Sequence, residues 1–389
     1  MQSEISRRGF LAAAGTGLLA AGARSALAQA PAADAPRRSR AGTGMRVGAD
    51  TDKQPAAVKA KGALAMLDYV KASGFDGACF RLMLDLSPTL DSGLLKEIRA
   101  HADSQELFLD AGVGWMNPFN TAERPDIRKF GDGDYRLAIE KMLKAARLID
   151  ITELWAVSAH SAHGNPSYVA YDRFRTDVSW GDQLRAMTKF INSLAPMLRD
   201  LRLRINLEAH GDETSHELIR LIEEIGPDVV GVTLDPGNLP LEGDVPLDSI
   251  RRMAPYIHLA QCKDGILFRT KEGMHQQIRT VGEGVLDWEA ALEVLAKHQP
   301  NLHLCFEDYR AENLLLWSTP KYRPHYPELT EADVREFDRL ASLCEQRIQR
   351  GEIPGVEEYR KRPWGDAERQ ASYQTGAAYL RKILKARGI

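Results

Sequence analysis

The stretch Arg204-Ile-Asn-Leu-Glu-Ala-His-Gly-Asp212 decides how the rest of this chain is read. It has the composition of a β-strand. Period two puts Asn206, Glu208 and His210 on one face, and Ile205, Leu207 and Ala209 on the other. A strand buried on both faces ends in Glu and His only where something needs charge. Three later strand-like runs end the same way. Val229-Val-Gly-Val-Thr-Leu-Asp235 ends in Asp235, and Leu302-His-Leu-Cys-Phe-Glu307 ends in Glu307. Between them, Tyr256-Ile-His-Leu-Ala-Gln-Cys-Lys-Asp264 ends in a polar cluster. Four successive strands with polar carboxyl ends point to one shared site.

Working outward, strand and helix signals alternate from Met45 onward, which implies a parallel sheet. Strands are expected at 45–49, 77–81, 106–112, 151–157, 204–212, 229–234, 256–261 and 302–306. Helical spacing falls at 63–70, 92–103, 134–149, 182–198, 215–225, 247–253, 288–297 and 330–348. The first helix stops at Ser73-Gly74, and Thr330 is placed to cap the last. Eight βα units over about 300 residues predict a closed (β/α)8 TIM barrel. Loop lengths agree. Helix-to-strand turns are short, whereas the strand-to-helix loops 115–133, 159–180, 264–286 and 308–329 are long. In such barrels the site lies on the rim that those long loops build. The tail 351–389 adds a C-terminal helical extension. Its stripe Tyr373, Ala377, Leu380 and Leu384 is placed to pack across the barrel bottom or onto a second subunit, making a homo-oligomer.

Composition bounds the function. The chain has 389 residues, 44% of them hydrophobic, and a net charge of −3, which gives no footprint for nucleic acid. Four cysteines without a CxxC pair offer no zinc knuckle or disulfide framework and read as packing residues; Cys262 and Cys305 are not expected to bridge. Ser6-Arg-Arg-Gly-Phe-Leu11, the apolar run 10–23 and Ala26-Leu-Ala28 match a twin-arginine export signal with its cleavage site. The run is too short for a comfortable membrane span. Residues 1–28 are therefore expected to be removed, 29–44 to form a disordered leader, and the mature chain to work in the periplasm without a membrane span.

With these pieces in place, the chain resembles the xylose isomerase-like barrel superfamily of sugar isomerases and epimerases. The resemblance is carried by Asn206-Leu-Glu208-Ala-His210, Gly231-Val-Thr-Leu-Asp235-Pro-Gly-Asn238, Ile257-His-Leu-Ala-Gln261-Cys-Lys-Asp264, Val281-Gly-Glu-Gly-Val-Leu-Asp-Trp288 and Leu304-Cys-Phe-Glu307. It covers roughly Met45 to Arg350, so the barrel is expected over 45–350. The family's metal site is Glu, Asp, His, Glu from strands five to eight. The resemblance implies Glu208, Asp235 and Glu307 as metal ligands. The family His falls on Gln261 here; His258 is close by, with opposite strand parity, so Gln261 is taken as the fourth ligand.

The chemistry of these residue types supports that implication. Three carboxylates converging on one mouth repel each other, and a divalent cation removes the conflict. Carboxylate and amide oxygens form a hard donor set that suits Mn²⁺ or Mg²⁺ better than Zn²⁺. Such a site would polarise a substrate carbonyl. Glu208 and Glu307 would then move a proton through an enediolate, giving epimerisation or aldose–ketose isomerisation. The expected substrate is a small carbohydrate, a non-phosphorylated sugar or keto-sugar, because an exported enzyme meets few sugar phosphates and Gly282-Glu-Gly284 does not open a helix that would cradle one. His160 (in preference to His163), His210, Asn238, Lys263 and Arg81 are the expected substrate contacts. Tyr168, Tyr171, Arg173, Trp317 and Tyr322 read mainly as loop anchors. Two alternatives stay open: a metal-dependent lyase or dehydratase acting on a keto-sugar or keto-glycoside, to which the Gln261 substitution gives weight, and a non-catalytic sugar-binding barrel.

Overall fold

A computed structural model of the chain describes residues 44–120, 124–158, 172–175 and 177–389. The export signal, nearly all of the leader, and the candidates His160, His163, Tyr168 and Tyr171 lie outside these residues. Eleven strands are present among the described residues: β1 (Arg46–Asp50), β2 (Gly77–Phe80), β3 (Phe108–Trp115), β4 (Glu153–Val157), β5 (Arg204–Glu208), β6 (Val230–Leu234), β7 (Ile257–Cys262), β8 (Asp264–Arg269), β9 (Met274–Arg279), β10 (His303–Phe306) and β11 (Glu312–Leu314). Eight of them close a parallel barrel in the order β1-β10-β7-β6-β5-β4-β3-β2. These are the eight strands read from the sequence, each within a few residues of its expected limits. Helices pack outside them, several with a side-chain cap at the first turn: Asp134, Ser179 and Thr214 each accept a backbone N–H there.

Strand alternation then sorts the side chains. Ile205, Leu207, Val230, Val232, Ala260 and Cys262 belong to the core between barrel and helices. The other parity faces the barrel interior. On β7, Leu259 packs inside against Trp155 and Val157, and Lys263 reaches Asp235 and Glu307. Gln261, between them at period two, therefore faces inward as well. A register irregularity between β6 and β7 at Val232/Thr233 brings His258 beside Gly231, near the start of both strands. His258 bonds Gln299 at 3.1 Å and is at the opposite end of β7 from the polar cluster.

Two regions differ from the sequence reading. The loop expected at 264–286 contains an antiparallel hairpin, β8 with β9, and β11 adds a third strand to it. The segments are short, and Met274-His-Gln-Gln-Ile-Arg279 has no clean apolar alternation to announce a strand. The helix expected to be the eighth of the barrel, Glu331–Gln349, packs on this hairpin instead. Phe337, Leu340 and Ala341 bury against Leu267, Met274 and Trp317. The wall beside β10 and β1 is filled by the last helix, Asp366–Arg387. Its stripe Tyr373, Ala377, Leu380 and Leu384 is buried in the main core, with Tyr373 edge-on to Phe75 at 6.2 Å and 6.0 Å from Phe306. The stripe thus faces neither the barrel bottom nor a second subunit. Both helices carry an apolar stripe, and the stripe alone does not say which sheet it covers. All four cysteines are free and buried. Among the described residues no helix is long and apolar enough to cross a membrane.

Candidate active site at the barrel mouth

The strand ends converge as their composition implies. Glu208, Asp235 and Glu307 are buried, and each offers a carboxylate oxygen such that all three atoms lie within 4.8 Å of one another. β5 and β10 are separated in the barrel by β6 and β7, so Glu208 and Glu307 approach from different sides of the mouth. Asn238 ties Glu208 to Asp235, donating from its amide to both at 3.0 and 2.9 Å. The backbone N–H of Gly237 donates to the other oxygen of Asp235 at 3.0 Å. The indole N–H of Trp155 donates to Glu208.

Two cations are threaded through this cluster. The Arg81 guanidinium pairs with Asp50 at 2.7 Å, Glu307 at 2.8 Å and Glu208 at 3.2 Å, and stacks 4.7 Å from the Trp155 ring. The Lys263 ammonium lies 2.6 Å from Asp235 and 3.4 Å from Glu307, with the Tyr309 ring 4.9 Å away. Lys53 stands further out, 3.9 Å from Glu307. Four carboxylates, counting Asp50, thus face two cations, Lys263 fully enclosed and Arg81 partly exposed.

The imbalance shows in their protonation. Burial pushes Glu208 up to about 8 against the pull of Arg81. It pushes Asp235 up to about 6 against Lys263, and Asp50 to about 6 against Arg81. At Glu307 burial is outweighed by Arg81, Lys263 and Lys53, with a contribution from His210, and the carboxyl stays well below the usual range. Gln261 adds a further signal: its side-chain oxygen and nitrogen are both buried without a partner. Unspent carboxylate charge and an unpartnered amide inside a polar mouth fit a bound cation. The three carboxylates can hold a metal, and His258 cannot join them from the far end of its strand.

The other residues expected at the site have separate surroundings. His210 is half-buried just past β5, close enough to Glu307 to help hold it ionised. Asn238 spends its amide hydrogens on carboxylates. Arg173 is buried against Glu217, Trp317 donates to the Pro240 carbonyl at 2.6 Å, and Tyr322 packs on Phe174, so these three anchor loops. Asp264, beside Lys263, accepts the N–H groups of Gly265, Gly282, Gly284 and Leu286 and the indole N–H of Trp288. A Cβ on Gly284 would lie 1.8 Å from the Asp264 carboxylate. The Gly282-Glu-Gly284 amides are therefore already taken. The sequence reading missed Asp50, Trp155, Lys53 and Tyr309. Asp50 carried the same signal as the others, a carboxylate at a strand end, one residue past where the first strand was expected to stop.

The family model described as xylose isomerase-like TIM barrel matches residues 67–342. The chain belongs to that family. It is 25% identical to the uncharacterized protein YihM of Escherichia coli (strain K12) over 215 residues, 55% of this chain and 64% of that one, so the match spans less than two thirds of that relative's length. Among solved structures it is similar to D-psicose 3-epimerase from Clostridium cellulolyticum H10, at 17% identity and TM-score 0.51, covering 78% of this chain and 97% of the other. It is also similar to the 3-keto-D-glucoside 4-epimerase YcjR of E. coli, at 15% identity and TM-score 0.50, covering 78% and 99%. At these identities the likeness is one of fold.

Proposed function

We propose that this chain is a metal-dependent isomerase or epimerase of a non-phosphorylated sugar or keto-sugar, exported to the periplasm by the twin-arginine route. The observation that carries the reading is the meeting of Glu208, Asp235 and Glu307 at one barrel mouth, with ligand atoms within 4.8 Å. We assign these three and the Gln261 amide oxygen as metal ligands, a hard oxygen set suited to Mn²⁺ or Mg²⁺. Such an ion supplies Lewis acidity toward a substrate carbonyl and the hydroxyl beside it.

The protein's own groups do the rest. Glu307, kept ionised by Arg81 and Lys263, takes the proton from the carbon next to the carbonyl. Glu208, on a strand across the mouth, returns a proton to the enediolate from its own side. Return to the opposite face of that carbon gives an epimer; return to the neighbouring carbon gives the aldose–ketose isomer. Lys263, His210 and Arg81 orient the substrate oxygens, and His160 is placed in the same set from the sequence. The engagement of Gly282 and Gly284 with Asp264 supports a substrate without a phosphate group. The similarity to enzymes that epimerise a free ketose and a keto-glucoside supports the same class of compound. One observation favours a lyase as the second reading: the buried Lys263 ammonium supplies positive charge where a departing oxygen would become negative.

The test is deuterium exchange. Metal-free protein and protein with added Mn²⁺ are offered free ketoses, aldoses and 3-keto-glycosides in D₂O, and the carbon-bound protons are followed by NMR. Metal-dependent exchange with a new isomer, abolished in Glu307→Gln, is expected. Loss of a leaving group with an unsaturated product would move the assignment to a lyase. Turnover confined to phosphorylated sugars would refute the substrate class.

A further inference from the structure

The lone pairs of the site carry an inference that rests on the metal reading above and goes beyond it. Each carboxylate oxygen has about two acceptor positions. On Asp235, one oxygen accepts the Gly237 N–H at 3.0 Å. The other accepts Asn238 at 2.9 Å and Lys263 at 2.6 Å, so both of its positions are filled. On Glu208, one oxygen is filled by Trp155 and Arg81, and the other keeps one position free beside Asn238. On Glu307, one oxygen holds Arg81 and the other holds Lys263 loosely at 3.4 Å. Lys263 thus takes the last position on one Asp235 oxygen and also faces the Glu307 oxygen that Arg81 leaves, so a second cation drawn to this pair of carboxylates meets its charge. Among the groups around Asp235, Lys263 alone is shared with Glu307.

The stem of the lysine is packed along its length. Gly237 lies directly against the stem: a Cβ there would come within 2.6 Å of Lys263 Cγ, 2.8 Å of its Cβ and 3.0 Å of its Cε. The packing holds the stem in place as far as Cε, and the residue is almost wholly buried. The ammonium also stands over the face of Tyr309, 4.9 Å from its ring centre, a contact that remains when the carboxylate contacts are given up.

We propose that Lys263 is the resident counter-ion of this site, and that a divalent cation binds by displacing its ammonium from Asp235 and Glu307, leaving it to the face of Tyr309. Binding is then an exchange of one cation for another. Lys263 neutralises buried carboxylates in the metal-free protein, weakens metal binding by the free energy of its own contacts, and is released as a donor for a substrate oxygen once the metal is in.

Two measurements test this. Mn²⁺ binding to metal-free protein, followed by EPR titration, is compared between wild type and Lys263→Met, with folding checked by circular dichroism. The variant is expected to bind at least about tenfold more tightly, about 1.4 kcal/mol. A variant that binds Mn²⁺ while wild type does not supports the exchange still more strongly. Equal or weaker binding by the folded variant overturns the exchange and leaves the metal reading intact; no binding by either protein overturns both. The second measurement needs no variant. A crystal structure of wild type with Mn²⁺ is expected to show Lys263 Nζ out of hydrogen-bond reach of Asp235. An ion on Glu208, Asp235 and Glu307 with Nζ still on Asp235 overturns the displacement, whatever the affinities.

Discussion

Replacing Arg81 with methionine probes how the site is held together before any metal or substrate arrives. Methionine keeps a long unbranched side chain to lie along Trp155 and removes only the charge that Asp50, Glu208 and Glu307 share. Removing one partner of a buried ion pair destabilises by about 3–5 kcal/mol. Here three carboxylates lose the same partner, but they respond by binding protons, which limits the loss. The value for a single pair is therefore the size expected at about pH 8, not three times that value. The sign with pH follows from the same protons. Arg81 is the main influence opposing burial at both Asp50 and Glu208, so its removal lifts their folded pKa values further above the unfolded ones. A carboxyl with a raised folded pKa holds more protons folded than unfolded. Stability then falls as pH rises past the unfolded value, by up to about 1.4 kcal/mol per pH unit for each group. The difference between wild type and Arg81→Met should be larger at about pH 8 than at about pH 5, where the share lost at Glu307, whose carboxyl Arg81 holds below the usual range, still remains. Guanidinium denaturation of metal-free protein at both pH values reads it directly. A loss under about 1 kcal/mol at the higher pH, or an equal loss at both, would refute the account of Arg81 as the shared counter-charge.

Glu213 makes the opposite prediction. It is fully buried beside Asp212, the Ser158 hydroxyl lies between the two carboxyls, and burial followed by Asp212 pushes its carboxyl well above the usual range. Folded protein must hold a proton there that unfolded protein releases, so this site loses stability as pH rises above the ordinary carboxylate range. Glu213→Gln keeps the shape and needs no proton; its melting temperature should exceed wild type at neutral and higher pH, with the gap closing toward about pH 4. A gap that widens on acidification would sink this. On the last helix, the Tyr373 hydroxyl accepts the N–H of Asp308, next to Glu307. Tyr373→Phe leaves that buried donor without a partner and should lower stability by about 1–3 kcal/mol in denaturant. A neutral result would mean that water reaches the Asp308 amide.

The sequence by itself determined the barrel and much of its mouth. Eight apolar runs at period two, separated by helical spacing, leave few ways to bury both faces of every strand. Carboxylates at the ends of three of them, against the rule that such strands are apolar, marked Glu208, Asp235 and Glu307 one residue at a time. Arg81, Lys263 and Gln261 were visible as polar residues in the same positions. Tertiary structure decided how these residues divide their roles. That Arg81 and Lys263 are shared among four carboxylates, that Asn238 ties two of them together, and that Gln261 is left without a partner depend on distances between strands far apart in the chain. No local pattern encodes such distances. The irregularity at Val232/Thr233 set His258 apart from the site, where strand parity had only argued against it. Tertiary structure also chose which helix completes the wall. Glu331–Gln349 and Asp366–Arg387 both carry an apolar stripe, and only the hairpin β8–β9, unannounced by any alternation, drew the first away and left the place beside β10 and β1 to the second. An amphipathic helix specifies that one face must be covered; the surface that covers it is settled by everything else that folds.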